Sequence, residues 1–396
     1  MKTALWLYLF MFVAFFDLHA QYPILTPFAI SLGAAPTFIG WMMGMYSLTH
    51  LPGNLLAGYW VDRYGSKWFI AISLVCAGML LLVQSYVADP WQLLAIRSVS
   101  GFVLAFLSPA CLAMLAKLGR SRTHQGKLMA GNGLVHTLAS VVSPAAGAFL
   151  VAEVGFTTAF SVLGWALIAV GGVAAFFIRE PKTAAALSDG SPVHHHHGAV
   201  PAPEASLPPV PDSAKRIPWL FYGVPLALAC SQGILFFELP LLQSSQQSLL
   251  TSGLLFSMVS LGALLTLSLM FLHRYSPFVR AAAGSFALAL TFFGLAVEWP
   301  LPLTVSLFMI GMAKGVIFPA TAALLASLSS ASRYGRVFSL LSISSSIGAF
   351  IGPITAGQFR HAVSPYFIAF LGLMLALVLL APGKFRSTPD APPVAD

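Results

Sequence analysis

The chain has 396 residues, of which 58% are hydrophobic and only 8% charged. Soluble domains carry about 25% charged residues, so the composition excludes a soluble enzyme and marks an integral membrane protein. The formal net charge of +8 makes no nucleic-acid surface, because the basic residues lie in short loops between apolar runs and form no continuous stripe.

A spanning helix needs roughly 20 mainly apolar residues. Apolar runs predict twelve of them, at about 4–29, 37–60, 68–88, 90–116, 126–151, 157–178, 218–242, 249–272, 278–298, 301–328, 334–359 and 364–382. Runs rich in Gly and Pro still read as helices, since a bilayer forces backbone hydrogen bonds inward. The first run resembles a secretory signal, with Lys2, an apolar stretch and Leu18-His19-Ala20 before Gln21. Asp17 would interrupt the apolar core of such a signal, so the run reads as a retained first span. Cys76, Cys111 and Cys230 all fall inside apolar runs and read as small buried hydrophobes. They have no metal-ligand spacing, and neither a metal nor a cofactor is expected.

Of the 20 Lys and Arg, Arg97 and Lys314 lie inside spans. Seventeen of the others fall on one side of the predicted bundle, against Arg360 alone on the opposite side. The positive-inside rule then places both termini in the cytoplasm, and a multi-pass protein of the plasma membrane is expected.

Residues 179–217 hold seven prolines among Ala and Ser, with His194 to His197 in their midst. Such a segment buries no core and reads as a disordered cytoplasmic linker. The expected domains are a six-helix bundle at 1–178, this linker, a second bundle at 218–383 and a cytoplasmic tail at 384–396.

The two halves repeat each other. Pro109-Ala-Cys-Leu-Ala-Met-Leu-Ala116 recurs as Pro319-Ala-Thr-Ala-Ala-Leu-Leu-Ala326, and Gly101 recurs as Gly311. Ser143-Pro144 likewise recurs as Gly352-Pro353. Offsets of 209 to 210 residues in these separate regions indicate a parallel repeat of six helices, an architecture of secondary transporters.

Between the second and third runs stands Gly58-Tyr-Trp-Val-Asp62-Arg63-Tyr-Gly65-Ser-Lys67. Gly58 permits a close helix approach and Gly65 a tight turn, whereas Asp62 at a helix C-terminus opposes the dipole unless a positive group faces it. The pattern G-x-x-x-D-R-x-G-x-[KR] resembles the signature loop of the major facilitator superfamily. Ser66 stands at that loop's first basic position. The resemblance implies an all-α fold of twelve transmembrane helices in two parallel six-helix repeats, and a gating role for Gly58, Asp62, Arg63, Gly65 and Lys67.

Ionisable side chains inside spans are expensive and are functional candidates. They are Asp17, Arg97, Glu238 and Lys314, in predicted helices 1, 4, 7 and 10; in the family these helices line the central cavity. Asp17 and Lys314 lie about 20 Å along their helices, near the midplane, which pairs Asp17 with Lys314 and leaves Arg97 for Glu238. Gln21 shares a helix face with Asp17 and Ser231 shares one with Glu238. Tyr22 and Phe236 are among the aromatic and Met residues expected on the cavity wall, together with Trp41, Met42, Met45, Phe102 and Phe237. Arg97, with Gly101 four residues on, resembles a family motif linked to proton movement. Asp17, Arg97 and Glu238 are accordingly the expected proton-coupling residues.

Gly348-x-x-x-Gly352-Pro353-x-x-Ala356-Gly357 resembles a pattern that drug–proton antiporters usually carry in helix 5. The fifth helix has a weaker form in Ser143, Pro144 and Gly147. Small residues at this spacing also pack helices closely. The expected function is proton-coupled export of an amphipathic small molecule such as a drug, by a monomer in contact with membrane lipids. Export of a specific metabolite, such as a metallophore or sugar, is the alternative; a receptor or enzyme on a transporter-like fold is a remote one.

Overall fold

The computed structural model describes residues 2–118, 122–178, 219–242, 249–269, 272, 274–328 and 334–380. The segment 179–217, with His194 to His197, and the tail 384–396 lie outside the described residues. Apart from the short 3-10 turn Trp219–Tyr222, the elements are α-helices: α1 (Lys2–Ser31), α2 (Pro36–Tyr64), α3 (Ser66–Ser85), α4 (Pro90–Leu104), α5 (Leu107–Leu118), α6 (Arg122–Phe177), α7 (Gly223–Leu241), α8 (Leu249–Ser268), α9 (Pro277–Ala296), α10 (Leu303–Leu328), α11 (Tyr334–Phe359) and α12 (Pro365–Leu379).

Among the described residues the helices make twelve spans, although two elements break the expectation of one apolar run per helix. The fourth span is divided into α4 and α5 at Ala105 and Phe106. Pro109 has no N–H to donate to the carbonyl of Ala105, so the helical ladder fails there. Conversely, α6 contains both the fifth and sixth spans. As one straight helix its 56 residues would run about 84 Å at 1.5 Å each, far beyond a hydrocarbon core of about 30 Å. The chain turns at Gly155, whose φ of 78° and ψ of 169° are non-helical. Proline in the first turn of α2, α4, α9 and α12 starts those helices at no hydrogen-bonding cost. Asp89 caps α4 by accepting from the N–H of Trp91 at 2.6 Å.

Packing follows the repeat. In the first half α1 lies on the fifth span, α2 on α4 and α3 on the sixth span; in the second, α7 lies on α11, α8 on α10 and α9 on α12. Between halves, α2 meets α11 and α8 meets α6, which are equivalent pairs once the halves are exchanged. The repeated glycines show why. Gly101 packs against the backbone carbonyl of Tyr46, and Gly311 against that of Val259. Any Cβ at either position would collide with backbone, so these two crossings require glycine.

Candidate functional site

Asp17 and Gln21 lie one turn apart on α1, both buried, with Asp17 only 3% exposed. The Gln21 side-chain amide donates to both carboxylate oxygens of Asp17 at 3.0 Å. Its carbonyl oxygen accepts from Nη1 of Arg97, on α4, at 2.7 Å. Only one orientation of a primary amide serves a carboxylate and a guanidinium together, with nitrogen toward the anion and oxygen toward the cation. The Arg97 guanidinium also lies 4.5 Å from the ring centre of Tyr46 on α2, a cation–π distance. Its Nε is buried and has no hydrogen-bond partner among the described residues.

The expected pairing of Arg97 with Glu238 is therefore corrected, and so is that of Asp17 with Lys314. Charge balance and depth could not see that a neutral amide lies between Asp17 and Arg97. Glu238, near the end of α7, pairs with Arg360 just beyond α11, Nε to Oε1 at 3.2 Å. In the sequence Arg360 serves only as a marker of orientation, yet α7 and α11 pack side by side and bring it to the carboxylate.

Lys314 on α10 has its Nζ 5.7 Å from the ring centre of Phe236. Phe236 packs against Tyr22 across the junction of the halves, with ring centres 4.3 Å apart and the planes tilted by 34°, and Phe256 of α8 closes the group at 5.4 Å from Phe236. Lys314 is also within electrostatic range of His19 and His136. Those two imidazoles meet edge-on at 5.2 Å, and His19 donates from Nδ1 to the carbonyl of Phe15 at 2.7 Å. Nothing in the sequence singles out Tyr46, Phe256 or His19, or the pairing of Arg360. A lone aromatic or His within an apolar run gives no signal of the helix it faces.

Other expected cavity residues lie elsewhere. Ser231 donates to the carbonyl of Leu228 at 2.8 Å, within its own helix. Met42 and Phe237 are fully buried in helix packing, Trp41 sits edge-on to Phe350 of α11, and Phe102 packs against Phe106. Helix packing is what places Ser231, Met42 and Phe237, whereas Trp41 remains 43% exposed.

In the gating stretch, Gly65 has a φ of 89°, and its N–H bonds to the carbonyl of Val61 at 3.0 Å, closing α2 before α3 begins. Arg63 donates to the Tyr59 hydroxyl at 3.1 Å, and the Lys67 ammonium lies 5.4 Å from the Trp68 ring. Gly58 and Asp62 lie on α2; their surroundings are outside the described residues.

The small residues of the fifth and eleventh spans sit at helix crossings. Gly348 and Gly352 pack on Leu226 and Cys230 of α7, and Gly147 on Ala20 of α1. The Ser143 hydroxyl bonds to the carbonyl of Ala139 at 2.6 Å. The two halves meet at Gly40 against Pro353, Gly44 against Phe350, Gly357 against Pro36, and Gly253 against Pro144. All four contacts lie in the part of the bundle away from the α2–α3 turn. Toward that turn, Leu55 and Tyr59 of α2 and Phe318 of α10 are exposed. A cleft of ≈ 470 Å³, open space at its mouth included, lies among α1, α2, α4 and α5 of the first half and is lined by Phe15, Leu18, Tyr46 and His50 among others.

Known proteins match the sequence and the fold. The family model for the Major Facilitator Superfamily matches residues 7–301 and 277–396. The chain is 26% identical over 178 residues to Multidrug resistance protein 1 of Bacillus subtilis, covering 43% of this chain and 44% of that one. It is 29% identical over 146 residues to Multidrug resistance protein MdtG of Salmonella arizonae, 35% of each chain. The matches thus span less than half the length of these curated relatives. Among solved structures, the inward open xylose transporter XylE of E. coli aligns with a TM-score of 0.71 at 12% identity, over 98% of this chain and 97% of that one. The nucleoside transporter NupG aligns at 0.70 and 14%, over 96% and 98%. With twelve apolar spans in two equivalent halves and a family match over nearly the whole length, the chain belongs to the major facilitator superfamily.

Proposed function

We propose that the chain is a proton-coupled exporter of an amphipathic small molecule, working by alternating access, with Asp17 as the group that gains and loses the proton. The observation that carries this reading is the link from Asp17 through Gln21 to Arg97. A carboxylate bonded directly to a guanidinium would have to break an ion pair to take a proton. Held through an amide, Asp17 can be protonated while Arg97 keeps its bond to Gln21 and its place over Tyr46. Relatives named multidrug resistance proteins favour export of amphipathic compounds over uptake. The half-buried rings of Tyr22 and Phe236, backed by the buried Phe256, offer such compounds an adaptable apolar face.

On this reading both termini and the α2–α3 turn face the cytoplasm, in accordance with the positive-inside rule, and the cleft opens inward. The bundles 1–178 and 218–383, joined by the linker 179–217, rock against each other as a monomer in the plasma membrane. Glu238 with Arg360 becomes an outer latch instead of a proton site. Export of one specific metabolite remains the second reading, favoured by the tightly bonded polar set around Arg97. The two separate in proteoliposomes under an imposed pH gradient. An exporter of broad range moves several unrelated amphipathic compounds uphill, and a specific one moves a single class. Uphill movement of no compound, or movement indifferent to the gradient, would overturn proton coupling.

A further inference from the structure

The charges of the two halves do not cancel where the halves meet. Asp17 is bonded within the first half and Glu238 is paired with Arg360 at one end of the bundle. Lys314 has no hydrogen-bond or ion-pair partner among the described residues, and neither has the imidazole of His136. Whichever tautomer His136 adopts, it carries one N–H donor, and the Lys314 ammonium carries three. An ammonium inside a membrane protein normally pairs with an anion or a backbone carbonyl. The donors come from α10 and from the fifth span, one in each half, with His19 of α1 beside them. Next to them lie the apolar faces of Tyr22 and Phe236.

We propose that Lys314 and His136 bind the acidic group of the substrate, and that the exported compounds are amphipathic anions: organic carboxylates, sulfonates or phosphonates with an aromatic or apolar body. The acidic group bridges Lys314 and the His136 N–H, while the body lies against Tyr22 and Phe236. Because the two donors belong to different halves, the bound anion also draws the halves together, which an alternating-access cycle requires. This deepens the export reading and rests on it for the direction of transport.

The test is binding by the purified full chain in detergent, measured by calorimetry with three probes of one shape: 2-naphthoate, 2-naphthamide and 2-naphthylmethylammonium. The expected result is that naphthoate binds at least tenfold tighter than the amide, and the ammonium probe weakest. Lys314→Gln should reduce the naphthoate-to-amide ratio to below about threefold, Lys314→Arg should keep most of it, and His136→Phe should lower it two- to fivefold. Equal binding of the three probes, tightest binding of the ammonium probe, or no detectable naphthoate binding overturns the inference. An unchanged ratio in Lys314→Gln does so too. The wild-type ratio is decisive even if a variant fails to fold. No gradient is present, so failure of proton coupling leaves this result standing. A proton-driven exporter without the preference sinks the anion site alone.

Discussion

Arg360, the one basic loop residue on its side of the bundle, holds Glu238 at 3.2 Å and so ties the end of α11 to the end of α7. The Glu238 side chain is 4% exposed and that of Arg360 27%, so breaking the pair from the arginine side strands a buried charge. Removing one partner of a fully buried pair costs about 3–5 kcal/mol; partial exposure places Arg360→Gln below that. We expect Arg360→Gln to lower the thermal midpoint by several degrees and the double variant Arg360→Gln/Glu238→Gln to recover most of the loss. A double variant no more stable than the single one would mean the pair is incidental.

Gln21 predicts a separation of stability from chemistry. Gln21→Leu has similar volume but leaves Asp17 and Arg97 buried without their shared partner, a loss of about 1–3 kcal/mol for each unsatisfied group. Thermal unfolding should register it. Gln21→Glu should be tolerated toward Arg97 but places a second carboxylate beside Asp17, so the pH profile of transport should move while expression holds. An unaltered profile would remove Gln21 from the proton path.

The repeated crossings give a third expectation. Gly101→Ala and Gly311→Ala each push a methyl group into a neighbouring carbonyl and should destabilise by about 1–3 kcal/mol. Gly133→Ala and Gly172→Ala, where a Cβ would meet nothing within 4 Å, should be neutral or stabilising by up to about 1 kcal/mol. Equal effects at all four positions would show that the crossings are looser than drawn.

At the α2–α3 turn, the φ of 89° at Gly65 disfavours any side chain, and β-branching most of all. Gly65→Val should therefore cut transport more than Gly65→Ala. Asp62→Asn should slow transport while leaving expression and substrate binding near normal. Lost expression of Asp62→Asn would assign it to folding instead of gating.

How far the sequence disclosed this arrangement depends on the kind of signal. Helix number and the two halves were legible because apolar length and the 210-residue offset between Pro109 and Pro319 are properties of one chain read along itself. Asp17 and Gln21 were legible as a pair because four residues make one helical turn. The partners of Arg97 and Glu238 were not, since contacts between helices leave no periodic trace; charge balance favoured an arginine–glutamate pair that geometry replaces with Gln21 and Arg360. The missing N–H of Pro109 accounts for the interruption before it but did not foretell it. Pro319, at the equivalent place in α10, leaves that helix continuous, so proline alone does not decide it.

The most direct test of proton coupling is uphill export by Asp17→Asn in proteoliposomes, set beside wild type and Glu238→Gln. Asparagine keeps the shape and can still meet Gln21, but it cannot exchange a proton. The account predicts that Asp17→Asn binds substrate and exchanges it downhill, yet accumulates none against its gradient at any pH. Glu238→Gln should retain gradient-driven transport. Uphill transport by Asp17→Asn with the wild-type pH dependence would contradict the account and move the proton site elsewhere.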